Sequence, residues 1–184
     1  AAGTTTVTWT YDDGNGNTST QTQDVVITGD ATVPIADNPS LPDVTDECSV
    51  ASLAQPTATD NCVGSITGTH NATLPITAQG TTVVAWTYDD GSGNTSTQTQ
   101  NVVINDVSAP VPVAGSLSDV NAECSITSLS APTATDNCVG SVTGAHNATL
   151  PITTQGTTVV TWTYDDGNGN TSTQTQDVVI NDVS

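Results

Sequence analysis

Internal repetition limits what this chain can fold into more than any other feature. Residues 56–108, opening Pro56-Thr57-Ala58-Thr59-Asp60-Asn61-Cys62, recur as residues 132–184 at an offset of 76. Six positions differ, all mildly: Ile66/Val142, Thr69/Ala145, Ala78/Thr154, Ala85/Thr161, Ser92/Asn168 and Asn101/Asp177. Residues 3–27 carry the second half of the same unit, with Trp9 standing where Trp86 and Trp162 stand. The repetition therefore divides the chain into residues 1–30, the C-terminal part of one repeat, and two full repeats, 31–107 and 108–184. A chain that opens inside a repeat is expected to belong to a longer protein, in which neighbouring repeats are each other's first partners.

A repeat of 76 residues is near the lower limit for a domain that folds on its own core, and domains of that size usually carry a staple. Each full repeat has two cysteines, Cys48 and Cys62, then Cys124 and Cys138. Four cysteines allow three pairings. If each repeat is self-contained, repetition selects Cys48–Cys62 and Cys124–Cys138. A disulfide closing so short a loop stabilises by roughly 3 kcal/mol on the chain-entropy model. Such disulfides imply an oxidising compartment outside the cytosol.

Charge narrows the function further. The chain has 19 acidic residues and no lysine or arginine. Counterion release on nucleic acid needs basic side chains, so nucleic acid is excluded as a partner. Anionic membranes repel such a surface too, and no stretch approaches the roughly 20 apolar residues of a membrane span. High charge of one sign with few aromatics is also a pattern of disorder. The periodic apolar pattern argues instead for folded repeats.

Thr81-Thr82-Val83-Val84-Ala85-Trp86-Thr87-Tyr88 alternates in the strand manner, with Val84, Trp86 and Tyr88 on the face assigned to the core. The turn formers Asp89-Asp90-Gly91-Ser92-Gly93-Asn94 follow, and Thr95–Ile104 reads as the return strand of a hairpin. The copies place Trp9 and Trp162 in the core by the same alternation. Proline-bounded segments at Leu74-Pro75-Ile76 and Gln55-Pro56-Thr57 read as edge strands or connections. Short β-branched strands separated by turns predict an all-β fold of tandem immunoglobulin-like Greek-key β-sandwich repeats.

The run Glu47-Cys48, then Pro56–Cys62, Gln79–Val84 and Thr87–Thr95 resembles the hyalin-repeat (HYR-type) module, an immunoglobulin-like sandwich of extracellular proteins. The third repeat carries the same run from Glu123 to Thr171. The Ala-Thr-Asp-Asn-Cys element is the most specific part. The family pattern often has two further cysteines that this chain lacks, and losing one pair while keeping the other agrees with pairing inside each repeat. Near-identical, threonine-rich, lysine-free arrays also resemble the stalks of giant surface adhesins of gliding and marine Bacteroidota. That resemblance implies type IX secretion, a bacterial outer-surface location and a role in attachment or gliding motility.

Candidate chemistry lies in the acidic loops. Asp89, Asp90 and Asn94, with their copies Asp12, Asp13, Asn15 and Asn17 and then Asp165, Asp166, Asn168 and Asn170, bring hard oxygen donors together. Calcium takes six to eight such oxygens. Asn105 and Asp106 at the repeat end, with Asp60, Asn61, Asp136 and Asn137, complete a set that could line a junction between successive repeats. The plainer reading is that Asp, Asn and Gly simply make turns. The spacing does not fit an EF-hand loop, which needs a central glycine and a bidentate glutamate. With no lysine or arginine present, clustered carboxylates still require solvent, protons or a metal to relieve their repulsion, so calcium is the expected cofactor.

Nothing in the sequence assembles a catalytic group. His70 and His146 occupy one repeat position with no acid, nucleophile or metal partner nearby in sequence, so an enzyme is not expected. Thr95-Ser96-Thr97-Gln98-Thr99-Gln100 reads as the solvated face of a strand rather than an ice- or polysaccharide-binding ladder. The expected role is a structural stalk segment of an extracellular cell-surface adhesin, stabilised by calcium and disulfides. The alternatives are a glycan- or protein-binding repeat, which would expose the tryptophans, and a self-associating filament subunit in which a neighbour's strand completes a partial repeat.

Overall fold

The computed structural model describes residues 2–182, so Ala1, Val183 and Ser184, the outermost residues of the sequence repeats, lie outside it. Every regular element among the described residues is a strand. Among the described residues no helix is long and apolar enough to cross a membrane. The strands are β1 (Gly3–Asp12), β2 (Thr18–Ile27), β3 (Ile35–Ala36), β4 (Val44–Asp46), β5 (Thr57–Asp60), β6 (Gly64–Thr67), β7 (Thr69–His70), β8 (Gly80–Asp89) and β9 (Thr95–Ile104). They continue with β10 (Val111–Pro112), β11 (Val120–Ala122), β12 (Thr133–Asp136), β13 (Gly140–Thr143), β14 (Ala145–His146), β15 (Gly156–Asp165) and β16 (Thr171–Ile180). The series β3–β9 thus recurs as β10–β16.

Each series makes the same two sheets. One has three strands, β3-β5-β6 and then β10-β12-β13; the other has four, β4-β9-β8-β7 and then β11-β16-β15-β14. The short β4 and β11 run parallel to the ends of β9 and β16, pairing Val44 with Val102 and Val120 with Val178. β1 and β2 form a separate two-stranded sheet.

Compact packing does not follow the sequence repeats. One unit takes residues 1–43, 52–73 and 83–101; the other takes 44–51, 74–82 and 102–184. The segment after β4 thus belongs with the repeat that follows it.

Alternation along the long strands makes the core. In the first unit Ala58 and Ile66 pack on Tyr88, joining the two sheets. In the second, Val160, Trp162, Val178, Ile180 and Ile152 pack together, and Tyr164 closes on Ala134 and Val142. A glycine is required beside each tyrosine: a Cβ on Gly68 would stand 3.0 Å from Tyr88 Cε1, and one on Gly144 the same distance from Tyr164 Cε1. The hairpin loop between β8 and β9 turns through Gly91 and Gly93 at φ +74° and +105°, values that L side chains rarely adopt.

The segment Thr95–Gln100 is solvated on one face only. Its threonines are exposed, whereas Ser96, Gln98 and Gln100 turn inward. Ser96 Oγ donates to Pro34 O (2.6 Å), Gln98 Nε2 to Asn38 O (2.7 Å) and Gln100 Nε2 to Pro42 O (2.9 Å), tying the irregular stretch around β3 to the sheet. Gln100 Oε1 also accepts from Trp86 Nε1 at 3.1 Å, so the buried indole N–H is satisfied. Residues 55–57 and 74–76 adjoin edge pairing only in part: Thr57 begins β5, the middle strand of its sheet, while Ile76 makes an isolated bridge to Val50.

Candidate metal centre

Within the second unit, Cys48 is bonded to Cys138, 90 residues away, with Cα atoms 4.9 Å apart. Cys62 and Cys124 are exposed free thiols. The expected pairs Cys48–Cys62 and Cys124–Cys138 are therefore wrong. The reason is strand length. Cys48 follows β4, which pairs with the C-terminal end of β9, whereas Cys62 sits in the turn after Asp60, whose carboxylate feels Asp90 just before β9 begins. Ten residues of strand span about 33 Å, far beyond the ~7 Å that a disulfide tolerates between Cα atoms. Similarity between repeats could not reveal this, because a bond to the next repeat uses the same two repeat positions.

Three carboxylates gather beside this bond. Asp106, Asp136 and Asp166 each offer an oxygen within 4.8 Å of the others. Asp106 leads out of one repeat, Asp136 ends β12 and Asp166 opens the β15–β16 loop. Glu47 and Asp106 meet within the same distance at Cys138, whose sulfur is committed to the disulfide.

Local turn chemistry fixes each group. Asp166 Oδ1 accepts from the backbone N–H of Asn168 (2.7 Å) and Asn170 (3.1 Å), and Oδ2 accepts from Asn170 Nδ2 (2.8 Å). Burial pushes the Asp166 carboxyl up, but the bonds from Asn170 and Asn168 outweigh it and hold it below the usual range. Asp106 Oδ1 accepts from Ser108 N (3.1 Å) and Oδ2 from Asn168 Nδ2 (2.9 Å). Asp136 Oδ1 accepts from the N–H of Cys138 (2.8 Å) and Val139 (3.0 Å), leaving Oδ2 buried with no hydrogen-bond partner. Glu47 Oε2 accepts from Ser108 Oγ (2.9 Å) and Asn137 Nδ2 (2.7 Å).

Carboxylates at about 4–5 Å repel by ~1 kcal/mol at bulk dielectric and by ~3–4 kcal/mol at an effective dielectric of 20. The chain has no lysine or arginine to offset this. An all-oxygen donor set with one buried, unpartnered carboxylate oxygen fits a hard cation such as calcium. Asp106, Asp136 and Asp166 would hold it, with Glu47 beside them.

The first unit repeats part of this arrangement. Asp30, Asp60 and Cys62 lie within 4.8 Å of one another. Asp60 Oδ1 accepts from Cys62 N (2.8 Å) and Val63 N (3.0 Å), while Asp30 Oδ2 is buried and unpartnered. Partial desolvation, followed by the Asp30 and Asp60 charges, pushes the Cys62 thiol up. Thr32 Oγ1 donates to Asn61 Oδ1 and to Asp30 Oδ1.

The remaining expected ligands make turns instead. Asp12, Asp89 and Asp165 each accept the N–H of a loop glycine, and Asp13 and Asp90 fold back on Asn17 and Asn94 as Asp166 does on Asn170. Asn15 and Asn105 contribute backbone N–H bonds, to Asp13 and to Asp46 O. Sequence reasoning missed Asp30 and Glu47; the signals were the match of Asp30 to Asp106 in the 76-residue register and the adjacency of Glu47 to Cys48. His70 and His146 stand edge-on to Trp86 and Trp162, with ring centroids 5.0 and 5.1 Å apart.

No family model matches this chain, and no curated protein does either. The hyalin-repeat resemblance therefore rests on its motif residues. Among solved structures, mouse cadherin-23 EC22–24 is 15% identical at a TM-score of 0.38, with 98% of this chain and 74% of that one covered. Mouse clustered PcdhgC3 EC1–3 is 9% identical at 0.35, with 100% and 77% covered. The endo-fucoidan hydrolase MfFcnA4 of glycoside hydrolase family 107 is 14% identical at 0.33; this chain spans 34% of its length. At these identities and TM-scores the similarities assign neither family nor activity.

Proposed function

We propose that this chain is a non-enzymatic, structural segment of an extracellular array of immunoglobulin-like repeats, the stalk of a cell-surface adhesin, in which each repeat is locked to the next by a disulfide and by calcium. The observation that carries this reading is the site where Glu47 and Cys48 of one repeat meet Asp106, Asp136, Cys138 and Asp166 around the start of the following one. A bond between repeats restrains an array, which a bond inside each repeat would not do. The disulfide supports an oxidising, extracellular setting. The absence of lysine and arginine removes trypsin-type cleavage sites, which suits an exposed stalk. Bacterial attachment or gliding, with type IX secretion, is the setting in which the resemblance to gliding adhesins would place it. Burial of Trp86 and Trp162 weighs against the alternative of a glycan-binding tryptophan row.

Thermal unfolding with calcium in excess, then with chelator, tests the reading. A cation that binds only the folded state at a hundredfold excess over its Kd stabilises by about 2.7 kcal/mol. The expected result is a melting temperature several degrees higher with calcium, lost in Asp136→Asn. Identical melting with calcium and chelator would refute the metal-locked junction.

A further inference from the structure

Five Asn-x-Ser/Thr sequons without an intervening proline stand in this sequence: Asn17-Thr18-Ser19, Asn71-Ala72-Thr73, Asn94-Thr95-Ser96, Asn147-Ala148-Thr149 and Asn170-Thr171-Ser172. The pattern marks each as an acceptor for an N-linked glycan, and in a threonine-rich chain it also recurs by chance. The fold sorts them. A sequon offers two groups, the carboxamide nitrogen that attacks the sugar and the hydroxyl two residues on, and both must be free to be used.

At Asn94 and Asn170 neither group is free. Asn94 Nδ2 donates to Asp90 Oδ2 (2.6 Å) and Asn170 Nδ2 to Asp166 Oδ2 (2.8 Å), inside the hairpin loops. Ser96 Oγ donates to Pro34 O and Ser172 Oγ to Pro110 O. All four side chains belong to half-buried residues. Asn17 Nδ2 is likewise committed, to Asp13 Oδ2 at 2.7 Å.

Asn71 and Asn147, 76 residues apart, are the reverse case. Each directly follows a short strand, β7 or β14, and each is exposed, as are Thr73 and Thr149. The Asn71 backbone N–H donates to Ala85 O (3.2 Å), and Asn71 Oδ1 accepts from Ala85 N (3.0 Å). Asn147 makes the same pair of bonds with Thr161, at 3.1 and 3.0 Å. A backbone N–H needs an acceptor, so these contacts fix which way round the carboxamide lies. Its oxygen is spent on the strand, and its nitrogen is left over. Among the described residues neither Nδ2, nor the hydroxyl of Thr73 or Thr149, has a hydrogen-bond partner. Beside Asn147 a hollow of about 320 Å³, lined by Thr149, Thr158 and the exposed Val159, leaves room for a first sugar.

We propose that Asn71 and Asn147 are N-glycosylation sites, one in each full repeat, and that the fold withholds Asn94 and Asn170. The co-substrate is an oligosaccharide carried on a lipid pyrophosphate. Nδ2 attacks the anomeric carbon, and an N–C bond forms as the C–O bond to the pyrophosphate breaks. The lipid pyrophosphate leaves with the electron pair, Nδ2 gives up one proton, and nothing is oxidised. Oδ1 keeps its bond to the strand throughout, so the glycan is added without unmaking the fold. The proposal depends on neither the disulfide nor the cation.

The test incubates the folded full chain with an oligosaccharyltransferase that reads Asn-x-Ser/Thr without further requirement, together with its lipid pyrophosphate-linked oligosaccharide. Peptides of residues 68–76 and 91–99 report how well each sequon is used without the fold. Mass spectrometry gives the occupancy of every site. Relative to the peptides, Asn71 and Asn147 should exceed Asn94 and Asn170 on the order of tenfold, the effect of holding two hydrogen bonds closed. Thr149→Ala changes an exposed, unbonded side chain, so it should abolish addition at Asn147 while leaving Asn71 occupancy and the melting temperature unchanged. No transfer to Asn71 and Asn147 in the folded chain overturns the proposal. Equal relative occupancy at Asn94 and Asn170 overturns it too, since the fold would then not be selecting the site.

Discussion

Hairpins β1–β2 and β15–β16 have almost the same sequence and the same register, yet opposite environments. Trp9 pairs across the strand with Gln21 as Trp162 does with Gln174, and each indole N–H donates to a glutamine, Gln23 at 3.3 Å and Gln176 at 3.0 Å. Trp9 is 52% exposed, however, and Trp162 is 1% exposed. In β15–β16 the glutamines go on to hold a covering segment, Gln174 Nε2 donating to Ala114 O (2.7 Å) and Gln176 Nε2 to Ser118 O (2.9 Å). Hairpin formation is therefore local, whereas burial depends on residues some 60 positions earlier in the chain. Trp86 and Trp162 take the core place that alternation gave them, whereas among the described residues no segment lies over Trp9, which stands exposed against that expectation: alternation marks the face that can be buried, and a cover decides whether it is.

The largest test of the comparison is the covalent bond. Closing a 90-residue loop stabilises by about 4–5 kcal/mol, against roughly 3 for the short loop expected from sequence. Cys138→Ser should lower the second unit's melting temperature by roughly 20–30 °C, while the matching Cys62→Ser changes it little. Calorimetry of the two variants decides this, and equal effects would refute the observed pairing.

Tryptophan substitution probes the hairpins directly. Trp162→Ala should cost about 3–5 kcal/mol by emptying a packed site, and Trp9→Ala no more than ~0.5 kcal/mol. Denaturant midpoints measure both. Acrylamide quenching of the single-tryptophan variants should find Trp9 accessible and Trp162 shielded.

A finer contrast separates the two carboxylate groups. Asn168 donates to Asp106, whereas the equivalent loop position holds Ser92, and Asp30 Oδ2 has no hydrogen-bond partner. Ser92→Asn should stabilise the first unit by about 1 kcal/mol by supplying that donor, read as a shift in its urea midpoint. No shift would mean that the loop does not reach Asp30.

The smallest expected difference is in pH response. Asp13 is held low chiefly by the Asn17 side chain, and Asp90 and Asp166 are held low by Asn94 and Asn170 against the upward push of burial. A carboxyl depressed in the folded state contributes stability that is fully present above its unfolded value near 4 and is lost as pH falls through the folded value. Melting temperature should thus be flat above about pH 5 and decline below pH 4. NMR titration should find all three aspartates low, because each loop makes its own bonds. A normal value for Asp13 alone would show that the exposed hairpin loses its turn.

Much of the fold was legible in the alternation of Thr81–Tyr88 and the turn run Asp89–Asn94, which became β8 and the loop that leads to β9. The short strands β3, β4 and β7 were not, since two or three residues carry no period. Nor was the inward role of Ser96, Gln98 and Gln100, whose value lies in carbonyls about 60 residues away. The candidate centre was half legible: Asp106, Asp136 and Asp166 stood in the expected set, whereas Glu47 and Asp30 did not.

By itself the sequence determined the repeat, its hairpins and turns, its acidity, and which residue types could meet a cation or form a disulfide, because these depend on spacing and composition. Only the tertiary structure decided that Cys48 joins Cys138, that Asp106, Asp136 and Asp166 converge from three separate segments beside that bond, and that the cover of Trp162 comes from residues 114–118. In a near-perfect repeat, contacts inside one copy and contacts to the next have the same signature. Strand length and the side of the sheet on which a loop emerges choose between them, and those are properties of the folded chain.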